Sequence, residues 1–181
     1  MGARKGLLSG SLLGHGSTAV LSSGRTHILV MRFPERGLLS PAAPEDTSGN
    51  ICTRILFPLD FSKPAKGALS YLAVLDGVAE VILLHVIRKI ERQENLNLEV
   101  REVEKRLSEA REILRKTHPE VRVKMMVRFG IPSRQICRVS TEEQVSLIMM
   151  SRFGKMDYLK KIPLGTTTAK VAQEAKKPVL V

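Results

Sequence analysis

The chain has 181 residues, 29 Lys and Arg against 18 Asp and Glu, and a formal charge of +11. That length allows one α/β domain with or without an appendage, and a composition 43% hydrophobic and 26% charged excludes wholesale disorder. No run reaches the ~20 apolar residues needed to cross a bilayer, and the absence of Trp, with two Tyr and five Phe, is poor material for a base-stacking surface.

Positive charge opens the chain in Met-Gly-Ala-Arg-Lys-Gly, and Leu7 to Leu21 is moderately apolar. Ser9, Gly10, Ser11, Gly14, His15 and Gly16 interrupt the stretch that a signal peptide would keep unbroken. Gly6 stands where the myristoylation pattern wants Ser or Thr. Residues 41–50 are small, polar and proline-rich, which is linker composition. Residues 1–50 carry 5 basic and 3 acidic groups, and residues 51–181 carry 24 and 15, so the basic character belongs to the second part. Cys52 and Cys137 match neither a disulfide framework nor a zinc site. They fit a reducing cytoplasm, which is the expected location.

Ile51 to Leu59 reads as a buried strand ending at Asp60. Ser62 is placed to cap a helix with Pro64 in its first turn, and Asp76-Gly77 ends it. Glu80 to Ile87 is a second buried strand. Residues 89–117 repeat apolar side chains at helical spacing from Leu96 to Leu114, with a charged outer face. Val121 to Val127 is a third strand, Pro132 to Glu143 a helix, and Val145 to Met150 a fourth strand. A basic loop over 151–165 leads to a helix from Thr166 to Ala175 and a last strand, Val179 to Val181. This alternation predicts an α/β fold with a doubly wound, five-stranded parallel sheet, whose ligands bind beyond the carboxyl ends of the strands.

The loop after the fourth strand holds the clearest chemistry. Gly154 allows close backbone approach, and Gly165 followed by Thr166, Thr167 and Thr168 opens a helix whose free amides favour an anion. Lys155, Lys160 and Lys161 add charge. The pattern is open to two readings: a phosphate site, or a capped helix start beside a solvated lysine face. No Gly-Lys-[Ser/Thr] of a Walker motif occurs. His85 in its apolar strand reads as a satisfied core histidine, Cys137 as a packing residue, and Glu142-Glu143 as the decoration of a helix end. His15, His27 and His118 are scattered, so no metal constellation is expected.

Residues 51–181 resemble a universal stress protein domain of the UspA-like kind. The resemblance rests on Ile-Leu-Phe-Pro-Leu-Asp-Phe-Ser (55–62), Ala-Glu-Val-Ile-Leu-Leu-His-Val (79–86), Val-Ser-Leu-Ile-Met-Met-Ser (145–151), Leu-Gly-Thr-Thr-Thr (164–168) and Lys-Lys-Pro-Val-Leu-Val (176–181). It implies an adenine nucleotide alpha-hydrolase-like, Rossmann-like fold and ATP as ligand, with Mg²⁺. By the same resemblance Asp60 would contact the adenosine, Pro58 would lie beside it, and Val86 would hold the base through its backbone. Gly154, Gly165 and Thr166 would surround the phosphates, with Met150, Ser151, Thr167 and Thr168 nearby. Two departures stand out from the G-x2-G-x9-G-[S/T] pattern of nucleotide-binding members. Ser151 replaces the first glycine, and ten residues separate Gly154 from Gly165.

The first forty residues echo the end of the chain. Leu13-Gly14 matches Leu164-Gly165 at an offset of 151 residues, and the same offset lays Ile28-Leu29-Val30 on Val179-Leu180-Val181. Residues 1–40 are therefore expected to be the helix and strand remnant of a preceding universal stress protein domain, either as a fragment of a tandem protein or as a true appendage. In the family, final strands pair across dimers, so a homodimer or tandem-domain pairing through Lys177 to Val181 is implied. Thr26 to Arg32 is placed to pair antiparallel with that strand and imitate half of such a partner.

The leading functional expectation is a non-enzymatic, ATP-responsive module in stress physiology, with slow hydrolysis at most. The alternative is a nucleotide-independent dimerisation or interaction module of the same family. An adenylating or sulfur-transfer enzyme would need a catalytic cysteine or a pyrophosphate loop near Pro58-Leu59-Asp60-Phe61-Ser62, where neither occurs. Membrane binding is not expected, and nucleic-acid binding lacks an aromatic platform.

Overall fold

The structure is a computed structural model that describes residues 27–31, 50–88, 96–154 and 164–181. Its described elements are β1 (Leu29–Val30), β2 (Arg54–Pro58), α1 (Lys63–Leu72), β3 (Glu80–Ile87), α2 (Leu96–Thr117), β4 (Arg122–Phe129), α3 (Pro132–Glu142), β5 (Leu147–Met149), α4 (Thr166–Glu174) and β6 (Val179–Leu180). One sheet runs β1-β6-β5-β2-β3-β4. Its five strands from β6 to β4 are mutually parallel, and β1 is antiparallel on β6. The architecture is thus the α/β, Rossmann-like one expected, with an extra edge strand.

Strand alternation divides the core into two layers. Ile55, Phe57, Val81, Leu83, Leu147 and Met149 pack against Leu69 and Leu72 of α1 and against Leu107 and Leu114 of α2. Leu56, Ile82, Leu84, Ile148 and Val179 point the other way, onto Ile136 and Val139 of α3 and Val171 of α4. The inner strands β2, β3 and β5 are apolar on both faces because helices cover both, which explains their apolar runs in the sequence, while β4 keeps Arg122, Lys124 and Arg128.

The element ends differ from the sequence-based expectation by a few residues. The first core strand starts at Arg54, because Asn50 to Thr53 form a turn: the Cys52 amide donates to Asn50 Oδ1 (2.9 Å). The Asn50 side chain also donates to the Gly77 carbonyl (3.1 Å), where a positive φ of 74° and the Asn50 amide against the missing Cβ both require glycine. Helix α1 stops at Leu72 rather than at Asp76, and α3 is capped by Glu143. The expected helix over 89–95, the loop lysines Lys155, Lys160 and Lys161, and the N-terminal helix lie outside the described residues.

Chain order reverses between β2 and β5. The chain runs β2, β3, β4 outward in one direction, then returns to β5 and β6 on the other side of β2. Parallel sheets open a crevice at such a switch point, beyond the carboxyl ends of the strands.

Candidate functional site

A cleft of about 510 Å³ lies at that crevice, within the ~300–1,000 Å³ of typical small-molecule sites. Pro58 to Asp60 past β2 form one wall, flanked by Leu84 to Val86 and Arg88 at the end of β3 on one side and by Met150, Ser151 and Gly154 past β5 on the other. Thr166, Thr167 and Thr168 of α4 and Pro132 and Ile136 of α3 complete the lining. The alternation of β3 aims Leu84 and Val86 to the face that α3 and α4 cover, and Arg88 follows the strand end. Strand β2 pairs with β3 only as far as Pro58↔Leu84, so Val86 lies past the ladder on that side.

The first wall is built by a turn. Asp60 Oδ1 accepts from the Ser62 amide (3.0 Å), and Ser62 Oγ accepts from the Ala65 amide (3.2 Å) to cap α1. Phe61 sits between them at φ 60°, a costly conformation for an aromatic residue. Its ring is held on both sides: it stacks on His85 with centroids 4.8 Å apart, and the Arg106 guanidinium lies 4.1 Å from its centre. His85 Nδ1 lies 2.6 Å from the Leu59 carbonyl, a pure acceptor, so Nδ1 carries the proton and donates it there. The expectation of a satisfied histidine holds, but His85 also lines the cleft.

The β5 side is a tied loop. Ser151 Oγ donates to the Phe153 carbonyl (2.9 Å), the Gly165 amide to the Arg152 carbonyl (2.9 Å), and Thr168 Oγ1 to the Ser151 carbonyl (2.9 Å). Gly165 is the N-cap of α4 and no side chain caps that helix, so its first amides are left for another acceptor. These amides, the helix dipole and the hydroxyls of Thr166 and Thr167 make this part of the cleft suited to an anion.

Of the ten residues singled out from the sequence, Pro58, Asp60, Val86, Met150, Ser151, Gly154, Thr166, Thr167 and Thr168 line this one cleft. Gly165 is buried behind it and sets the turn into α4. Sequence reasoning missed Leu59, Leu84, His85, Arg88, Pro132 and Ile136 as lining residues. Arg88 is the single Lys or Arg among the described lining residues, and its period-two spacing from Val86 was the available signal. Glu142 and Glu143, taken as helix decoration, are ion-paired: Glu142 with Arg128 and Arg138, Glu143 with Lys124 and Arg54.

The model of the universal stress protein family matches residues 52–181. The chain is 34% identical over 151 residues to universal stress protein MJ0577 of Methanocaldococcus jannaschii, covering 71% of this chain and 93% of that one. The solved structure of MJ0577 superposes with a TM-score of 0.64, covering 72% of this chain and 94% of the other. The crystal structure of the hypothetical protein PH0823 is also 34% identical, with a TM-score of 0.60 over 70% of this chain and 92% of that one. A universal stress protein solved in complex with cAMP shares the fold at 13% identity, with a TM-score of 0.55 over 72% of this chain and 96% of that one.

Proposed function

The chain belongs to the universal stress protein family, and from that premise we propose that it is an adenine-nucleotide-binding module, with ATP as its ligand and Mg²⁺ beside the phosphates. The observation that carries this reading is the meeting in one cleft of Asp60, Val86 and the uncapped first turn of α4. The first amides of α4 and the hydroxyls of Thr166 and Thr167, with Gly154 and Ser151 nearby, would take the phosphates. Asp60, as a hydrogen-bond acceptor, would hold the ribose hydroxyls, and the backbone beyond the β2–β3 ladder at Val86 would meet the edge of the base. Leu84, Ile136 and Met150 supply the apolar surface a purine needs. The fold accommodates an adenine nucleotide in the cAMP-bound relative, which supports the class of ligand.

The role is binding and signalling through partner contacts, not turnover: a filled cleft would brace Ser151 and Gly154 against the phosphates and so change the surface offered to a partner. Calorimetric titration with ATP is the test, with Asp60→Ala and Thr167→Ala as controls. Saturable binding lost in both variants is expected, and no heat at millimolar ATP sinks the reading. Ser151 in place of glycine and the ten-residue spacing favour a second reading, a nucleotide-independent interaction module. That reading predicts the same assembly state with and without ATP.

A further inference from the structure

Arg88 directly follows β3, is exposed at the cleft, and pairs with no acid among the described residues. Other cations near this part of the sheet are matched: Arg54 meets Glu80 and Glu143, Lys124 meets Glu143, and Arg128 and Arg138 meet Glu142. The one acid in the lining, Asp60, turns Oδ1 to the Ser62 amide. A guanidinium is planar, carries five donors and no acceptor, and stacks on flat rings as readily as it pairs with anions.

Topology decides which part of a nucleotide Arg88 can meet. Strands β3 and β5 flank β2 on opposite sides, so the chain past β3 and the chain past β5 stand two strand spacings, about 10 Å, apart. The anion-suited first turn of α4 belongs to the β5 side, because the Gly165 amide and Thr168 Oγ1 tie it to the Arg152 and Ser151 carbonyls. Arg88 belongs to the β3 side, with Val86. A nucleotide with its phosphates at α4 and the edge of its base at Val86 therefore brings its base, not its phosphates, to Arg88.

Such a base has no other flat partner in the cleft. No Phe, Tyr or Trp lines it among the described residues. The one aromatic ring in the lining, His85, is stacked on Phe61 at 22° between planes, and its Nδ1 donates to the Leu59 carbonyl. Leu84, Ile136 and Met150 offer apolar contact only. We infer that Arg88 is the residue that stacks on the base, laying its guanidinium plane over the purine at the mouth of the cleft. Every purine has such a face, so this contact strengthens binding without choosing between purines. The inference deepens the nucleotide reading of the cleft and rests on it.

The test titrates the full chain and its Arg88→Gln variant with ATP and with AMP by calorimetry. Arg88 is exposed, so the variant is expected to keep the parent's circular dichroism. Affinity is expected to fall about fivefold, and by the same factor for both ligands, since both carry the same base. Unchanged affinity in Arg88→Gln overturns the inference. So does a loss that grows from AMP to ATP, which would put the guanidinium on the phosphates. Nuclear magnetic resonance reads the contact itself. The arginine Nε–H signal that vanishes in Arg88→Gln is expected to move upfield in the parent when ATP is added, as a proton over the face of a ring does. No movement, or the downfield movement of a hydrogen bond to the base edge, overturns stacking. ATP that fails to bind the parent removes the nucleotide reading and this inference together, whereas ATP that binds with Arg88 indifferent removes this inference alone.

Discussion

Thr168 Oγ1 donates to the carbonyl of Ser151, tying the first turn of α4 to the chain leaving β5. Thr168 is 2% exposed, so its hydroxyl is committed to that bond and the bond is shielded from water. Thr168→Val keeps the shape and leaves the Ser151 carbonyl without this donor. The expected loss is about 1–2 kcal/mol in urea unfolding, accompanied by weaker ATP binding because both partners line the cleft. Unchanged stability would mean that water or a neighbouring donor replaces the bond.

Asp60 has two separable duties. Its Oδ1 accepts from the Ser62 amide and shapes the turn, while its charge faces the cleft. Asp60→Asn keeps an acceptor in the same place and removes the charge; Asp60→Ala removes both. Thermal unfolding is expected to separate the two, with the Asn variant near the parent and the Ala variant less stable by about 1 kcal/mol. Calorimetry with ATP is expected to show roughly tenfold or greater loss for Ala, the size of one charge-assisted hydrogen bond, and less for Asn. Equal affinity in all three proteins would remove Asp60 from the site.

Much of this cleft is legible in the sequence because it is built from strand ends, and strand ends follow from apolar runs. Asp60 closes the run from Ile55, Val86 stands one residue before the end of the run from Val81 to Ile87, and Ser151 follows the run from Val145. Topology then needs only the parallel order to bring those ends together. Arg88 and Ile136 were not legible as lining residues, since their places depend on how far β3 outruns β2 and on the lean of α3. The antiparallel β1 was legible only through the likeness of Ile28-Leu29-Val30 to Val179-Leu180-Val181, as two described residues of strand carry no periodicity of their own. The positive φ of Phe61 left no trace in composition, because the residue type argues against it.

That strained residue offers a test of what holds the first wall. Phe61→Ala removes the ring from between His85 and Arg106 but keeps a Cβ at positive φ. Phe61→Gly removes the same ring and relieves the backbone. Both variants are expected to be less stable than the parent, and Gly is expected to exceed Ala by about 1 kcal/mol. Urea unfolding of the three proteins reads the difference directly. An Ala variant as stable as the Gly variant would show that the turn relaxes once the ring is gone.

Glu143 joins Arg54 of β2 to Lys124 of β4. Lys124 Nζ donates to both of its oxygens at 2.8 Å, and Arg54 Nη2 lies 3.1 Å away while its Nε meets Glu80 at 3.1 Å. The Lys124 hydrogen bond is the largest cause holding the Glu143 carboxyl below its ordinary range, with the charges of Lys124, Arg54 and Arg128 adding to it against a desolvation penalty. A lowered folded-state value means that the stabilisation is fully present above the unfolded carboxylate's pKa of about 4.3 and fades as pH falls through the folded value. Glu143→Gln is therefore expected to cost about 1 kcal/mol near neutral pH and progressively less under acid, until the two proteins unfold alike. Because partly exposed pairs are screened, the gap at pH 7 is also expected to narrow with added salt. Urea midpoints from pH 7 down to about 3 check the sign: a gap that widens on acidification would place the stabilisation on the protonated carboxyl and refute this account of the Lys124–Glu143–Arg54 contact.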